Sequence, residues 1–595
     1  MNNPILPNEE DEEIEEEDFF LEVVASLQQD NSITMLPMTK GRMFIPAPEI
    51  QEIASTTSFH HNRNSKNLKR SLLEVSSKVE MKLSSVAISF VFITILIYAW
   101  RLLNWVWFRP KKLERCLRQQ GLTGNSYRLL HGDFREMSRM INEANSRPIS
   151  FSDDIVQRVL PFHNHSIQKY GKNSFTWFGP KPVVNIMEPE LIRDVLLKHN
   201  AFQKVPPHPL GKLLATGVVA LEGEQWTKRR KIINPAFHLE KLKHMVSAFQ
   251  LSCSDMVNKW EKKLSLDGSC ELDAWPYLEN LAGDVISRTA FGSSYEEGRR
   301  IFQLQREQAH LAIQVTRSLY VPGWRFFPTK TNRRMRQISN EVNALLKGII
   351  EKREKAMKVG ETANDDLLGL LMESNYRDMQ ENDERKNVGM SIKDVIEECK
   401  LFYLAGQETT SVLLLWTMVL LSKHSNWQAR AREEVLRVFG NKKPDGDGLN
   451  HLKIVTMIFH EVLRLYPPVS MLLRTVFADS QVGGLYLPDG VLIALPTLLI
   501  HHDHEIWGED AKEFNPGRFS EGVSKAAKSQ VSFFPFGYGP RICVGQNFAM
   551  MEAKMALAMI LQRFSFELSP SYAHAPISLL TTQPQYGAHL ILHGL

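Results

Sequence analysis

An uninterrupted apolar stretch near the amino terminus constrains this chain more than any other feature of its sequence. The residues from Leu83 to Trp100 carry no charge, and as a helix they would span about 27 Å, close to the thickness of the hydrocarbon core of a membrane. Aromatic residues continue to Phe108, and Arg101 can extend its charge to the interface. The sequence therefore predicts a single transmembrane anchor at 81–108, with a buried soluble helix or a signal peptide as the alternatives.

The segments on either side of this anchor differ in charge. Residues 1–80 hold 15 acidic and 7 basic residues, and such self-repelling charge predicts an acidic, disordered extension. Six basic residues flank the anchor on each side, so the positive-inside rule gives no orientation unless translation begins at Met81, which would place the bulk of the chain in the cytosol. We expect the extension to be dispensable or absent from the working protein. A basic linker is expected at 109–125, followed by one large folded domain at 126–595.

The composition of the chain is that of a globular protein with a large core, since 43% of its residues are hydrophobic and 23% are charged. Its five cysteines are odd in number and widely spaced, which suits a reducing compartment and not a disulfide framework. A net charge of +4 gives no argument for a nucleic-acid partner. The predicted fold class is mainly α with a minor β part.

Periodicity and turn signals place the main elements of this domain. Short strands are expected around Gly483–Leu487 and Val491–Leu495, on either side of a Pro-Asp-Gly turn. Helices are predicted over 130–145, 188–199, 238–262, 277–290, 298–316, 333–357, about 391–423, about 450–466 and 546–564.

One cysteine lies in a glycine-rich loop, Phe536-Gly-Tyr-Gly-Pro-Arg-Ile-Cys543-Val-Gly545, directly before the last of these helices. Backbone N–H groups at the helix start would face the sulfur, and the helix dipole favours an anion there. The glycines allow a close approach of the backbone. A lone cysteine is usually an inert buried thiol, but this loop favours a thiolate that ligates iron. No second cysteine lies nearby, so a zinc or iron–sulfur site is not expected.

This segment is similar to the haem-binding signature of the cytochrome P450 family, F-x-x-G-x-R-x-C-x-G, at every specified position. Three further motifs follow the order of the family, and the resemblance covers about residues 83–595. It implies the mostly α cytochrome P450 fold with one N-terminal transmembrane helix, and it makes residues 126–595 a haem-thiolate catalytic domain. It also implies that Cys543 binds the iron of haem b, and that Phe536 and Gly545 are cofactor-binding residues.

The second motif is Ala405-Gly-Gln-Glu-Thr409-Thr410, within the long helix predicted at about 391–423. The hydroxyl of Thr409 can bond the carbonyl of Ala405, four residues earlier, and Gly406 would leave space for a small ligand. An exposed polar turn is the alternative. The segment resembles the oxygen-activation motif of the family, which implies that Ala405 and Gly406 lie against the cofactor. By the same resemblance, Glu408 and Thr409 would deliver protons to dioxygen.

The third motif is Glu461-Val-Leu-Arg464, whose spacing places both charges on one helix face. On its own it would be a common surface ion pair. It resembles the buried E-x-x-R pair of the family, and the resemblance implies that Arg518 joins it in a structural triad. The loop of Arg518 departs from the family pattern, because Gly517 replaces a glutamate and could make the loop less rigid.

The fourth motif is Trp226-Thr-Lys-Arg-Arg230, which resembles the W-x-x-x-R pattern that binds haem propionate. By the same resemblance, Arg474 and Arg541 bind propionate, a task that suits the guanidinium fork. The alternative for the basic run 228–231 is a nucleic-acid or nuclear-import patch. A solvated helix face is favoured over it, with contact of some of these residues to an acidic reductase as a further option, so no nucleic-acid partner is expected.

The resemblance implies a monooxygenase that takes electrons from NADPH through NADPH-cytochrome P450 reductase and inserts one atom of O₂ into an apolar small molecule. It also implies a single-pass protein of the endoplasmic reticulum membrane with a cytosolic catalytic domain. Longer stretches, such as 223–238 and 501–516, look like the plant clan that contains secologanin synthase and triterpenoid oxidases, so a terpenoid or triterpenoid is the expected substrate. By family position, the substrate pocket is expected to include Val469, Met471, Leu472 and Leu580.

Two other functions remain open at this point. One is a haem-thiolate isomerase or dehydratase that needs no reductase, although Glu408 and Thr409 argue against it. The other is a non-catalytic haem-binding protein, which Gly517 and the unusual N-terminus would allow.

Overall fold

The computed structural model describes residues 64–292, 295–316, 326–359, 366–381 and 390–595. The chain divides into two compact units, Met1–Ile95 and Leu96–Leu595. Helix α1 spans Asn64–Leu103. Residues 64–80, the last part of the extension that the sequence predicted to be disordered, are therefore helical. The rest of that extension, 1–63, lies outside the described residues.

Two apolar helical stretches are long enough to cross a membrane, among the residues that the structure describes. The first, Ser85–Gln119, has none of its apolar window buried, and side chains such as Phe90 and Trp100 are exposed. It is a candidate membrane anchor, as the sequence predicted. The second, Ile392–Lys423, is 78% buried within the fold and is therefore the core helix of the large unit.

The second unit is mainly helical. Its helices are a π-helical turn at Asn104–Phe108, α2 (Arg109–Gln119), α3 (Phe134–Ala144), α4 (Val156–Val159), α5 (Pro161–Tyr170), α6 (Pro189–Leu197), α7 (Gly217–Ala220), α8 (Gly223–Ile233), α9 (Leu239–His244), α10 (Val246–Glu261), α11 (Trp275–Phe291), α12 (Tyr295–Thr316), α13 (Lys330–Val359), α14 (Leu367–Glu381), α15 (Ile392–Lys423), α16 (Ser425–Phe439), α17 (Lys453–Leu465), α18 (Thr497–His501), α19 (His504–Trp507) and α20 (Gln546–Arg563). Short 3₁₀ turns connect several of them.

The β part is small and divided. Its strands are β1 (Thr123–Gly124), β2 (Ser174–Phe178), β3 (Lys181–Asn185), β4 (Phe202–Gln203), β5 (Ser269–Asp273), β6 (Leu472–Val476), β7 (Ser480–Val482), β8 (Leu485–Leu487), β9 (Leu492–Leu495), β10 (Phe564–Leu568), β11 (Pro576–Ser578), β12 (Thr582–Pro584) and β13 (His589–Gly594). The largest sheet has the order β1-β2-β3-β9-β6-β4, and a second has the order β10-β13-β5. Two separate hairpins, β7–β8 and β11–β12, complete the β part.

Helix α15 forms the centre of the large unit. Ser391 caps its start in a capping box with Asp394, which satisfies donors that would otherwise be unpaired. From Val412 to Leu421 all its side chains are buried, so it packs on every side against other elements. It packs along α11, and the two helices approach each other closely at Gly406.

The predicted helices and strands are confirmed, with shifts of a few residues at their ends. The stretch predicted as one helix over 238–262 is two helices, because α9 ends at His244 and α10 begins at Val246. Helix α17 ends at Leu465, before the proline pair 467–468, for the reason the sequence predicted.

Candidate active site

Cys543 lies at the base of α20 in a loop that is closed by backbone hydrogen bonds. Its N–H donates to the carbonyl of Phe536 at 2.8 Å, and Gly537 and Gly539 adopt φ values of +77° and +70° that other residues rarely reach. A Cβ at Gly539 would also lie 3.0 Å from the carbonyl oxygen of Leu196. The glycines therefore fix the loop that presents the sulfur.

Cys543 is an exposed residue, but the neighbouring protein still removes enough water from around its thiol to raise the pKa. The N–H of Gly545 and the charges of Arg230 and Lys204 act in the opposite direction. The N–H group at the start of α20 thus faces the sulfur, as the sequence predicted. No cluster of three or more His, Cys, Asp or Glu side chains suited to a metal occurs in the described ranges.

Four cationic side chains lie around this cysteine, and few carboxylates lie among them. The four are Arg230, Arg474, Arg541 and Lys204. Arg230 donates to the carbonyl of Ile542 at 2.9 Å. Arg474 is 7% exposed and bonds the carbonyl of Leu473 at 2.8 Å. Burial and the charge of Arg541 lower the pKa of Arg474 to about 10.

Arg541 lies over the ring of Trp226 at 4.1 Å and pairs with Glu222. The structure therefore brings the four predicted propionate-binding residues to one region.

Lys204 belongs to the same group, and the sequence reasoning missed it. Burial, followed by the charges of Arg474 and Arg541, lowers its pKa to about 8. It follows β4 in a loop that has no recognisable motif, so only the folded chain reveals its position. Among the residues that the structure describes, the carboxylate that interacts with this group is Glu222. The excess positive charge beside this exposed cysteine fits a haem group, which carries two carboxylates and an iron that thiolate can bind.

Helix α15 carries the second motif, and its residues lie in two different environments. The hydroxyl of Thr409 donates to the carbonyl of Ala405 at 2.8 Å, the hydrogen bond that the spacing predicts, and both residues lie on the open face. Glu408 is buried at 8% exposure. It accepts hydrogen bonds from Gln583 at 2.5 Å and from Thr581 at 3.2 Å.

Burial raises the pKa of Glu408, while the hydrogen bonds from Gln583 and Thr581 act in the opposite direction. Thr581 directly precedes β12 and Gln583 lies within it. Neither contact was predicted from the sequence, because a polar residue in a short hairpin carries no signal of its distant partner.

The structure shows a packing role for Gly406 beside the one predicted, which stays a prediction. A Cβ at this position would lie 2.9 Å from Cδ1 and from Cγ1 of Ile286 on α11, which is closer than side chains pack. Close contact between α11 and α15 therefore accounts for the glycine, and the prediction of space for a small ligand is not needed to explain it.

The structural triad forms as predicted. Arg464 and Glu461 are fully buried and joined by two hydrogen bonds of 2.7 and 2.8 Å. Arg518 approaches Glu461 at 3.4 Å and pairs with Asp510 at 2.8 Å. Arg464 also donates to the carbonyls of His501, Ala511 and Glu513, so it joins α17 to the segment that follows α18.

The predicted substrate-pocket segments meet at one place. The Oγ atoms of Ser470 and Ser578 lie 3.2 Å apart, and the N–H of Thr582 donates to the carbonyl of Pro468 at 3.0 Å. This contact brings Val469, Met471 and Leu472 beside the β11–β12 hairpin that carries Leu580. Leu580 is 37% exposed, whereas the other three are partly buried.

The basic run 228–231 is divided between the fold and the solvent. Arg229 pairs with Asp394 at 2.8 Å and with Glu398 at 3.3 Å, and Arg230 bonds the cysteine loop. Lys228 and Lys231 are exposed.

Comparisons with known proteins agree with this geometry. The sequence profile described as "Cytochrome P450" matches residues 156–589. The chain is 60% identical over 518 residues to "Cytochrome P450 CYP72A219" of Panax ginseng, covering 87% of this chain and 100% of that protein. It is 56% identical over 522 residues to "7-deoxyloganic acid hydroxylase" of Catharanthus roseus, with the same two shares. A solved structure, "Retinoic acid bound cyanobacterial CYP120A1", shares the fold with a TM-score of 0.65 at 22% identity, over 80% of this chain and 99% of that one.

Proposed function

The chain belongs to the cytochrome P450 family, and from this membership we propose that it hydroxylates an apolar terpenoid at a haem b group held by Cys543. Family membership makes it a haem-thiolate monooxygenase that uses O₂, a redox partner and a small-molecule substrate. The terpenoid class is supported by the relative from Catharanthus roseus, whose name describes it as a hydroxylase of 7-deoxyloganic acid. The observation that carries the proposal is the exposed residue Cys543 beside four cations, of which Arg541 pairs with Glu222.

Haem, when bound through a thiolate, supplies the oxidising power for hydroxylation of a C–H bond. Cys543 would bind its iron, and Arg230, Arg474, Arg541 and Lys204 would hold its carboxylates. Trp226 supports Arg541 through the contact of its ring.

Thr409 and Glu408 are the residues suited to proton transfer. The hydroxyl of Thr409 donates its hydrogen to the carbonyl of Ala405 on the accessible face of α15, where its oxygen can accept a hydrogen bond from a ligand. Burial raises the pKa of Glu408, and Thr581 and Gln583 hold its carboxyl in place. A positioned carboxyl whose pKa is raised is suited to exchange a proton with a neighbouring group.

The exposed apolar helix supports a membrane location. We infer that it anchors the protein in the endoplasmic reticulum membrane, with NADPH-cytochrome P450 reductase as the redox partner and residues 126–595 as the cytosolic catalytic domain. In this arrangement residues 1–80 are dispensable and residues 109–125 link the anchor to the domain.

The test is turnover by the holoenzyme in microsomes that contain a plant reductase. With NADPH, one oxygen atom from ¹⁸O₂ should enter 7-deoxyloganic acid or a triterpenoid, and the reduced carbon-monoxide complex should absorb at the position typical of thiolate ligation. Cys543→Ser should lose both signals. Turnover of a fatty hydroperoxide without NADPH would instead identify an isomerase, and a thiolate signal without any turnover would favour a haem-binding protein.

A further inference from the structure

A cavity of about 150 Å³ lies beside the predicted substrate-pocket segments. Its wall is formed by α3, by the region from Arg158 to His163, and by Phe178, Met471 and Ser578. Most of this lining is apolar, and no aspartate or glutamate is part of it. Such a cavity suits an apolar molecule that carries few polar groups.

Arg158 is the charged side chain in this wall, and it is only 3% exposed. Its Nη1 atom donates to the carbonyls of Ala144 and Arg147, and its Nη2 atom donates to Oε1 of Gln585. A guanidinium has five N–H groups, so three are used and two remain, one on Nε and one on Nη2. The Nε atom is buried without a hydrogen-bond partner.

The charge of Arg158 is not balanced by a carboxylate within 4.0 Å in the described part of the chain. The two aspartates that precede it along the chain are engaged elsewhere. Asp153 accepts the N–H of Ser150 at 2.8 Å, and Asp154 pairs with Lys512 at 2.8 Å. An unpaired buried cation is destabilising, and a guanidinium does not lose its proton. A ligand that brings a negative charge would relieve this imbalance.

The neighbouring polar residue does not offer a competing charge. His163 also lines the cavity, and burial lowers its pKa to about 4, so it is neutral at physiological pH. A buried guanidinium without a carboxylate partner can form charge-assisted hydrogen bonds to a carboxylate, and these are stronger than hydrogen bonds between neutral groups. The unbalanced charge of Arg158 therefore matches a carboxylate.

We propose that this cavity is a carboxylate subsite, in which Arg158 binds the acid group of an apolar substrate. Met471 and Ser578 line the cavity, and Ser578 contacts Ser470, so the apolar part of the substrate would extend along the predicted pocket segments. This inference rests on the proposed function, because it assigns the chemical class of the substrate: a terpenoid acid.

A pair of small probes tests the subsite without knowledge of the substrate. Cyclohexanecarboxylate and its neutral analogue cyclohexanecarboxamide are titrated into the holoenzyme by calorimetry. The carboxylate should bind at least about 10-fold more tightly than the amide, since the charge-assisted contact is lost in the amide. Equal binding of the two probes, or binding of neither, overturns the proposal, and this comparison needs no variant.

Arg158→Gln should abolish the preference for the carboxylate at equal haem content. Arg147→Gln is the matched control, because it removes an exposed arginine nearby and should leave the preference unchanged. A preference that persists in Arg158→Gln contradicts the assignment.

Inhibition then separates the subsite from the proposed function. The carboxylate probe, but not the amide, should compete with the substrate in NADPH-dependent turnover. Probe binding through Arg158 without any turnover would leave the subsite intact and contradict the monooxygenase. Turnover that the bound carboxylate does not inhibit would contradict the role of the subsite in substrate binding and leave the monooxygenase intact.

Discussion

Replacing Gly406 with alanine distinguishes helix packing from space for a small ligand. The new Cβ would lie 2.9 Å from two atoms of Ile286 and 3.3 Å from its Cβ, and Ile286 is 3% exposed, so it has little room to move. Overpacking a core costs about 1–3 kcal/mol, and alanine recovers about 1 kcal/mol of helix propensity. We expect the free energy of unfolding to fall by roughly 1 kcal/mol.

A double-mutant cycle makes this expectation sharp. Ile286→Ala removes the Cδ1 and Cγ1 atoms that the new Cβ would meet at 2.9 Å, and alone it should cost about 2–5 kcal/mol. In the double variant the methyl group introduced by Gly406→Ala has space, so the combined loss should be smaller than the sum of the single losses by about 1 kcal/mol or more. The measurement is urea unfolding followed by far-UV circular dichroism.

Gly348 on α13 supplies the control, because a Cβ there would meet nothing within 4 Å. Gly348→Ala should therefore stabilise the protein by about 0.5–1 kcal/mol. Additive losses in the Gly406 cycle would refute the packing explanation. A Gly406→Ala variant of unchanged stability that releases peroxide from NADPH turnover would restore the explanation by ligand space.

The other predictions concern the proton residues, the triad, a buried acid and the extension. Thr409→Ala should keep its haem but release peroxide in place of product, whereas Thr409→Ser should retain most of the coupling; equal coupling in the two variants contradicts the role of the hydroxyl. Arg464→Lys should destabilise the protein by about 3 kcal/mol or more, because it breaks a fully buried pair. Arg518→Lys should destabilise it by about 1 kcal/mol, because Arg518 contacts Glu461 at a longer distance of 3.4 Å. Similar losses for the two variants in urea unfolding would be evidence against this ranking. Burial raises the pKa of Glu279 to about 7, so its protonated form stabilises the fold at low pH and this contribution is lost as the pH rises through 7. Glu279→Gln should therefore raise Tm at pH 8 and change it little at pH 5, and the opposite pattern would show the sign to be wrong. A chain of residues 81–595 should incorporate haem and turn over substrate as well as the full chain does, and its failure to do so in microsomes would show that the extension is needed.

Local signals were enough to predict the elements that carry most of the chemistry. The loop of Cys543 was recognisable because glycines and an arginine occur within ten residues, directly before a predicted helix. The hydrogen bond from Thr409 to Ala405 follows from helical spacing alone. Likewise, the break after α17 follows from the proline pair.

Contacts between distant segments could not be predicted in this way. Glu408 is held by Thr581 and Gln583, which lie more than 170 positions later in the chain, and neither residue belongs to a motif. Lys204 reaches the cysteine site from a loop after β4. The explanation of Gly406 was incomplete for the same reason, because Ile286 lies on another helix. Such contacts depend on tertiary packing, which one sequence does not display.

The adjacent arginines 229 and 230 show how this limit affects the assignment of function. In the sequence both belong to the same basic run and look equivalent. In the structure Asp394 and Glu398 of α15 neutralise Arg229, so it attaches α8 to the core. Arg230 has no carboxylate partner in the described residues and bonds the loop of Cys543, so its charge remains available to a ligand. The acidic residues of α15 therefore decide which arginine serves the fold and which serves the site.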